Sequence, residues 1–177
     1  MRPCEKSKHI SKCLELAILF EVSTDKPGTV NLITEIGISD VGLGRIIRDC
    51  VADIDAWQRG GNTLLGTVIL LSPIAVAAGM TNTKEECIFE VSKLRENLKL
   101  VVESTTPEDA VNVYEAIKIA NPSGLGKAPE LDVNDPDSVN RIVKENVSLF
   151  QVFKIAAEYD MVCSEWIHNY PITFDVA

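Results

Sequence analysis

The pattern of apolar and polar positions along this chain is mostly that of α-helices. Residues 10–22 place apolar side chains three or four positions apart, which is the spacing of one helical face. That stripe consists of Ile10, Leu14, Ala17, Ile18 and Val22. Pro27 and Gly28 end the segment. Residues 29–33 alternate briefly like a strand, but the alternation does not persist.

Three more helices are predicted before the middle of the chain. One begins at residue 39 or 40 and runs to about residue 57, because Ser39 and Asp40 are both good N-caps. The next, at about 63–78, is apolar on all sides and contains Pro73, so it is predicted to be a buried central helix with a kink. A helix over 84–102 is expected to follow a Thr83 cap.

The second half of the chain carries clear helix boundaries. Thr106 and Pro107 begin a helix that ends near Asn121, since Pro is favoured at the first helical position. Asp135 opens another helix, and residues 149–168 form the last long one. The chain is therefore predicted to be all-α, with about seven helices in one domain over residues 1–177, because no repeat or linker divides it.

Composition supports a globular protein and excludes some partners. Of the 177 residues, 46% are hydrophobic and 24% are charged, which is ordinary for a folded domain. The net charge of −9 and the lack of a basic block argue against nucleic-acid binding. The apolar run at 64–80 is interrupted by Gly66 and Pro73 and is shorter than the roughly 20 residues of a membrane span, so no membrane association is predicted.

The cysteines and histidines predict no metal or redox centre. Five cysteines without CxxC spacing indicate reduced, buried thiols in a cytoplasmic protein. His9 and His168 lie far apart in the sequence, so a zinc site is not expected. Neither haem nor flavin is predicted.

Two polar breaks at the ends of apolar helices point to a ligand. Residues 21–28 (EVSTDKPG) and 61–66 (GNTLLG) combine an acid, a lysine, an amide and glycines, which suggests a site for a phosphorylated small molecule. Asn62 and Thr63 begin the third helix, where free N–H groups bind anions, and Gly61 lets a ligand approach the backbone. The alternative is that Asn62 or Thr63 is a plain helix cap. The two breaks are predicted to converge in one polar hollow.

Three segments, in this order, resemble the triphosphoribosyl-dephospho-coenzyme A synthase family. Residues 21–30 (EVSTDKPGTV) are similar to its E-V-x-x-x-K-P-G-x-V signature, and 60–66 (GGNTLLG) to its G-x-N-T-x-x-G block. Residues 113–126 (VYEAIKIANPSGLG), with Glu130 and Asp132 after them, are similar to a third block found in shorter microbial members. Together the three similarities cover about residues 14–175.

The resemblance implies an all-helical transferase. In the reaction of that family, ribose C1 of ATP is joined to the 2′-hydroxyl of 3′-dephospho-coenzyme A, adenine leaves, and the triphosphate is retained. The product is a precursor of the prosthetic group of acyl-carrier subunits. ATP and dephospho-coenzyme A are thus the expected small-molecule partners, and Mg²⁺ is expected with the ATP triphosphate.

The resemblance also suggests roles for individual residues. Glu21 is predicted to be an acid/base or metal ligand, Lys26 beside Gly28 a phosphate contact, and Asp40 a catalytic acid. A solvated helix-end glutamate, a surface lysine and a cap for the second helix are the respective alternatives.

The loop after the fifth predicted helix is the other candidate for ligand binding. Gly124 and Gly126 are predicted to bind substrate, and Glu130 and Asp132 to bind Mg²⁺. The alternative is a loop of solvated turn acids. Its spacing is not that of a calcium loop.

Two departures from the family pattern keep other functions open. Leu64 and Leu65 stand where the best-characterised branch has His-Lys, which favours a related enzyme with another acceptor. Members of the family generally continue past the point where this chain ends. A short member is one interpretation, and a non-catalytic subunit or the N-terminal part of a longer architecture is another. Exposed apolar surface at the C-terminal end would then favour a homodimer.

Overall fold

The computed structural model describes residues 37–57, 64–80, 90–123 and 125–175. Over these residues the chain is all-α and has no strand, as predicted. A 3-10 helix, Ile38–Val41, precedes eight α-helices. These are α1 (Leu43–Trp57), α2 (Leu65–Gly79), α3 (Val91–Glu103), α4 (Pro107–Ala120), α5 (Pro136–Lys144), α6 (Leu149–Ala156), α7 (Met161–Ile167) and α8 (Pro171–Asp175). The predicted first helix at 10–22 and the short alternating run at 29–33 lie outside the described residues.

The core forms where α1, α2, α4 and the C-terminal helices meet. Helix α1 packs most extensively on α4, α2 packs on α3 and α1, and α6 packs on α7. The side chains at the centre are mostly aliphatic, with some aromatic rings, and they include Ile47, Val51, Leu98, Val113, Leu149, Trp166 and Tyr170. This burial is the main force that holds the helices together.

Helix α2 continues through Pro73 because a distant side chain replaces the missing hydrogen bond. Proline has no N–H, so the carbonyl of Ile69, four residues earlier, lacks its usual helical donor. The indole Nε1 of Trp166 donates to that carbonyl at 3.2 Å. Trp166 is 1% exposed and packs edge-on against Phe153, with the ring centroids 4.7 Å apart. Trp166 is therefore part of the core.

The predicted boundaries around α4 and α5 are confirmed. Thr106 and Asp109 form a capping box with Pro107 at the first helical position, which satisfies two orphan backbone N–H groups. Asn121 ends α4 in the left-handed conformation, at φ 41°. Asp135 caps α5 by accepting from the N–H of Asp137 at 3.0 Å.

Three predicted helix starts are wrong. Residues 38–41 form the 3-10 helix, and Gly42, at φ 66°, separates it from α1, so Asp40 does not cap α1. Leu64, rather than Asn62 or Thr63, occupies the N-cap position of α2. Helix α3 begins at Val91 rather than after Thr83, because Glu90 before it is extended, and residues 84–89 of the predicted helix lie outside the described residues.

The predicted helix over 149–168 is two helices. A turn follows Ala156, and the carboxylate of Asp160 accepts from the N–H of Cys163 at 2.9 Å to start α7. Aspartate is a strong N-cap, so the sequence held the signal for this break. Asn169 and Tyr170 are both left-handed, and they turn the chain into α8, which the sequence pattern did not predict.

A buried glutamate holds α8 in place. Both oxygens of Glu165 accept hydrogen bonds, from the N–H of Ile172 at 3.0 Å and from the N–H of Thr173 at 2.8 Å. Burial alone would raise the pKa of Glu165, but the hydrogen bonds from Thr173 and Ile172 outweigh it, so the pKa lies below its usual value. Glu165 is therefore ionised and caps the first turn of α8.

The two cysteines in the described part of the chain are buried, as predicted. Cys50 is disulfide-bonded, so the expectation that every thiol is reduced is wrong for this residue. Burial raises the pKa of the free Cys163 thiol, which makes that thiol a poor nucleophile. Among the helices in residues 37–57, 64–80, 90–123 and 125–175, none has the length and apolar character needed to cross a bilayer.

Candidate functional site

A cavity of about 690 Å³ opens where the 3-10 helix and the starts of α1 and α4 meet the end of α5. This volume lies within the range of small-molecule sites. Most of its lining residues are polar, and Pro107, Val111 and Val143 are the apolar side chains among them. The lining residues are Ser39, Asp40, Gly42, Arg45, Thr106, Pro107, Glu108, Asp109, Val111, Asn112, Val143 and Asn146.

Beside the cavity, Gly44 of α1 contacts Asp109, which lines it. The N–H of Gly44, in the first turn of α1, donates to Oδ1 of Asp109 at 2.7 Å. The other carboxylate oxygen accepts from the N–H and the hydroxyl of Thr106 at 2.8 and 2.9 Å. A Cβ on Gly44 would lie 2.2 Å from the carbonyl oxygen of Asp109, so α1 and α4 approach this closely only because residue 44 is glycine.

The start of α4 is also tied to the start of α6. The N–H of Leu149 donates to the carbonyl of Thr106 at 3.3 Å. The N–H of Phe150 donates to the hydroxyl of Thr105 at 3.0 Å. Because Thr105 and Thr106 connect α3 to α4, these bonds hold the part of the cavity that Thr106 lines against α3, α4 and α6.

Arg48 joins α1 to α4 one turn further along. Its guanidinium donates to Asp49 at 2.8 Å, to Glu115 at 3.4 Å and to the amide oxygen of Asn112. The hydrogen bond to Asp49 is the main reason that the pKa of Arg48 is raised, so the guanidinium stays charged. The amide nitrogen of Asn112 donates to the carbonyl of Glu108 at 2.8 Å. Arg48 therefore sets the orientation of the Asn112 amide at the cavity wall.

Three charged side chains of the lining have no partner within the described ranges. These are the carboxylates of Asp40 and Glu108 and the guanidinium of Arg45. Free carboxylates can hold a cation, accept from sugar hydroxyls or stabilise a positively charged transition state. A free guanidinium can bind a phosphate. The cavity thus offers groups for both the sugar and the phosphate parts of a nucleotide.

The loop that follows α4 is held by Tyr114. The hydroxyl of Tyr114 donates to the carbonyl of Leu131, which has a left-handed φ of 47°, an unfavourable value for leucine. Asp132 then accepts from the N–H of Asn134 and that of Ala128, each at 2.7 Å. These bonds hold the pKa of the Asp132 carboxyl below its usual value.

Of the predicted site residues, the structure brings Asp40 into the cavity. Gly126, Glu130 and Asp132 lie on the loop after α4 and do not line the cavity. A Cβ on Gly126 would meet nothing within 4 Å. Within the described ranges, no three His, Cys, Asp or Glu side chains form a metal-binding group. The remaining predicted site residues lie outside the described residues: Glu21, Lys26, Gly28, Gly61, Asn62, Thr63 and Gly124.

Several polar residues of the cavity were not predicted as site residues from the sequence, among them Arg45, Glu108, Asp109 and Asn112. Glu108 and Asp109 are acids in the first turn of α4. Their sequence signal is also that of an ordinary capped helix start, because Asp109 completes a capping box. Only the packing of α1 on α4 turns them toward a cavity.

Comparison with known families gives one match over most of the chain. The sequence model of the family described as ATP:dephospho-CoA triphosphoribosyl transferase matches residues 31–177. The second and third motif segments fall within that match, whereas residues 21–30 precede it. No curated protein matches the chain, and no solved structure does.

Proposed function

Because the chain belongs to the ATP:dephospho-CoA triphosphoribosyl transferase family, we propose that it transfers the triphosphoribosyl group of ATP to 3′-dephospho-coenzyme A. The match over residues 31–177 is the observation that carries this proposal. The bond between ribose C1 and adenine breaks, and a bond between C1 and the 2′-oxygen of the acceptor forms. The proton of the attacking hydroxyl goes to a base, and adenine leaves with a proton in place of the ribose.

Asp40 and Glu108 are the carboxylates that we assign to the ribose end of ATP. Positive charge develops at C1 as adenine departs, and a nearby carboxylate stabilises such an oxocarbenium-like centre. Both side chains line the cavity and lack partners among the described residues. Asp109 is not assigned this role, because both its oxygens already accept hydrogen bonds from Gly44 and Thr106. Glu21 is the proposed base.

The triphosphate needs positive charge and backbone donors. Arg45 is the cation that lines the cavity, and Lys26, beside Gly28, is the proposed second one. Gly61, Asn62 and Thr63 are proposed to offer backbone N–H groups just before α2. Since Asp40 and Glu108 would repel phosphates, we place the triphosphate at the side of the cavity nearest Arg45.

Mg²⁺ belongs to the proposal as the companion of ATP. Mg²⁺ is usually held by one or two carboxylates together with phosphates and water, so a larger protein cluster is not required. Asp132 fits in part: it is held ionised, and each oxygen keeps a lone pair beyond the N–H that it accepts. When bound, the ion would neutralise phosphate charge. Glu130 and Gly126 belong to the same loop as Asp132, which does not line the cavity, and a part for them and for Gly124 in binding the ion or substrate stays a prediction.

The test is release of adenine by the purified full-length chain. The protein is incubated with ATP, Mg²⁺ and dephospho-coenzyme A, and chromatography follows free adenine while mass spectrometry follows the triphosphoribosyl product. We expect both to form together, and neither to form when ATP or the acceptor is left out. Folded protein that yields no adenine with this acceptor would overturn the proposal.

A related enzyme with a different acceptor is the second candidate. It is favoured by Leu64 and Leu65, which stand in place of His-Lys at the start of α2 and leave its N-cap without a side-chain hydrogen bond. Leu65 packs against the core instead. Adenine release with another hydroxyl compound, but not with dephospho-coenzyme A, would identify this enzyme. A chain that binds neither ATP nor an acceptor would be a non-catalytic subunit of the family.

The proposal also covers the cellular location and the oligomeric state of the protein. We place it in the cytoplasm, where ATP and dephospho-coenzyme A are available. Met161 and Ile172, near the C-terminal end of the chain, are 71% and 54% exposed, so a homodimer through this end stays a prediction. Light scattering of the purified chain measures the oligomeric state directly.

A further inference from the structure

Asn146 follows helix α5 with its backbone bonded and its side chain free. Its N–H donates to the carbonyl of Val143 at 3.4 Å, and the N–H of Val147 donates to that of Ile142 at 2.9 Å. With the left-handed φ of 54° at Asn146, these bonds form a Schellman motif. Ile142 is fully buried, so the motif fixes Asn146 at the cavity that it lines. Asn146 is exposed, and its side-chain amide has no partner within the described ranges.

The apolar surface of the cavity consists of Pro107 and Val111 on α4 and Val143 on α5. Its α4 part lies away from α1. Asp109 faces α1, because its carboxylate accepts from the first turn of that helix. At 3.6 residues per turn, Pro107 and Val111 each lie about 160° around α4 from Asp109. Pro107 and Val111 are therefore on the side of α4 that is turned away from the helix carrying Arg45.

We propose that the apolar surface binds the adenine ring of ATP and that the amide of Asn146 recognises the edge of that ring. An asparagine amide donates to N7 of adenine and accepts from the N6 amine, and this pairing distinguishes adenine from other bases. Guanine has two acceptors, N7 and O6, at the same edge, so the amide oxygen of Asn146 would find no donor there. The assignment rests on the proposed function, because ATP is the nucleotide that enters the cavity.

This position of the adenine ring agrees with the positions assigned to the rest of ATP. Arg45 of α1 takes the triphosphate, and Glu108 takes the ribose. Glu108 lies about 100° around α4 from Asp109, and Val111 lies about 60° further in the same direction. Phosphate, sugar and base groups of the site thus follow one another from α1 around α4, in the order in which ATP joins them. Contact of the ring with the apolar surface also removes apolar area from water.

Nucleotide binding in the absence of an acceptor tests the assignment, because no group transfer then takes place. The full chain is titrated in a calorimeter with the Mg²⁺ salts of ATP, GTP and 7-deaza-ATP, which has a C–H group in place of N7. We expect the wild type to bind ATP about tenfold or more tightly than GTP, and about fivefold more tightly than 7-deaza-ATP. Asn146→Gly should bring both ratios close to one, because glycine keeps the left-handed backbone but removes the amide.

Asn121→Gly is the matched control for Asn146→Gly. Asn121 is also an exposed, left-handed asparagine at the end of a helix, but it does not line the cavity, so its variant should keep both ratios. A wild type without preference for ATP, or an Asn146→Gly variant that keeps the full preference, would overturn the assignment.

Adenine release is measured separately, so that the two proposals can fail independently. An ATP preference that depends on Asn146, in a chain that releases no adenine with dephospho-coenzyme A, would count against the proposed reaction alone. Adenine release together with an unchanged preference in Asn146→Gly would count against the role of Asn146 alone.

Discussion

Gly44 and Asp109 hold the starts of α1 and α4 together by a 2.7 Å hydrogen bond and by direct backbone contact. The same carboxylate completes the capping box of α4 with Thr106. One buried side chain therefore satisfies donors at two helix starts, and the cavity forms beside it. The site depends on this contact more than on any single lining residue, because the contact fixes the distance between the two helices.

Gly44→Ala should be strongly destabilising. A Cβ 2.2 Å from the carbonyl oxygen of Asp109 forces α1 away from α4, and overpacking of this kind costs about 3 kcal/mol or more. Urea denaturation measures the free energy of unfolding. Gly126→Ala is the control, since nothing lies near its Cβ, and it should change stability by less than about 0.5 kcal/mol. Equal unfolding midpoints for the two variants would refute the close-contact interpretation.

Tyr114→Phe should loosen the loop after α4. The variant loses the hydrogen bond that holds Leu131 in its left-handed conformation, which we expect to cost about 1–2 kcal/mol. Amide exchange over residues 125–135 should rise. Tyr159→Phe removes an exposed hydroxyl and serves as the control. If the loop exchanges at the same rate in both variants, Tyr114 does not anchor it.

Glu165→Gln should change how stability depends on pH. The pKa of Glu165 is lowered in the folded state, so its contribution is present above the unfolded pKa of about 4.3 and is lost as the pH falls through the folded value. The variant should be less stable than wild type at pH 7, and the difference should shrink in acid. Thermal melts from pH 7 to pH 3 measure this. Glu158→Gln, on an exposed turn, is the control for the substitution itself, and a constant difference for Glu165→Gln would exclude its linkage to α8.

Gly66→Ala should separate stability from activity. The new Cβ would lie 3.6 Å from the Cγ2 of Val162, an ordinary contact, and replacing a helical glycine with alanine stabilises by about 0.5–1 kcal/mol. Since Gly66 lies in the second motif, we also expect adenine release to fall by about tenfold as substrate positioning is lost. A higher melting temperature with unchanged turnover would show that Gly66 does not face the substrate.

Asp40→Asn should lower activity without a change in stability. Asp40 is exposed and has no partner among the described residues, so the melting temperature should stay within error. Loss of a carboxylate at ribose C1 should lower kcat/KM for adenine release by about 100-fold. Asp55→Asn, an exposed carboxylate at the far end of α1, is the control. Equal activity of the two variants would remove Asp40 from the catalytic machinery.

Local signals in the sequence predicted the helix boundaries that depend on caps. The capping hydrogen bonds of Thr106, Asp135 and Asn121 reach no further than four residues along the chain. Such interactions can be predicted from a short window of sequence. The break at Asp160 carried the same kind of signal, but the continuous apolar pattern over 149–168 outweighed it. The predicted starts of α1 and α3 were wrong because Gly42 is left-handed and Glu90 is extended. The capping residues nearby in the sequence, Asp40 and Thr83, gave no sign of these backbone conformations.

The cavity could not be predicted from the sequence, because its lining comes from distant parts of the chain. The Gly44–Asp109 and Arg48–Asn112 bonds join residues more than sixty positions apart. Asp40 was singled out through the family resemblance alone. Arg45 and Glu108 carry no motif, and they become candidates only once α1 and α4 pack together.

The hydrogen bond from Trp166 to the carbonyl of Ile69 connects α7 to α2. Its partners are 97 positions apart, so the backbone of α2 reaches full satisfaction only after α7 has docked. A ribosome-bound chain that stops before residue 166 would retain an open carbonyl beside Pro73 in its most apolar helix. The hydrogen bonding of α2 is therefore complete only when α7 has packed against it. This dependence makes folding cooperative, and it leaves truncated chains open to proteolysis.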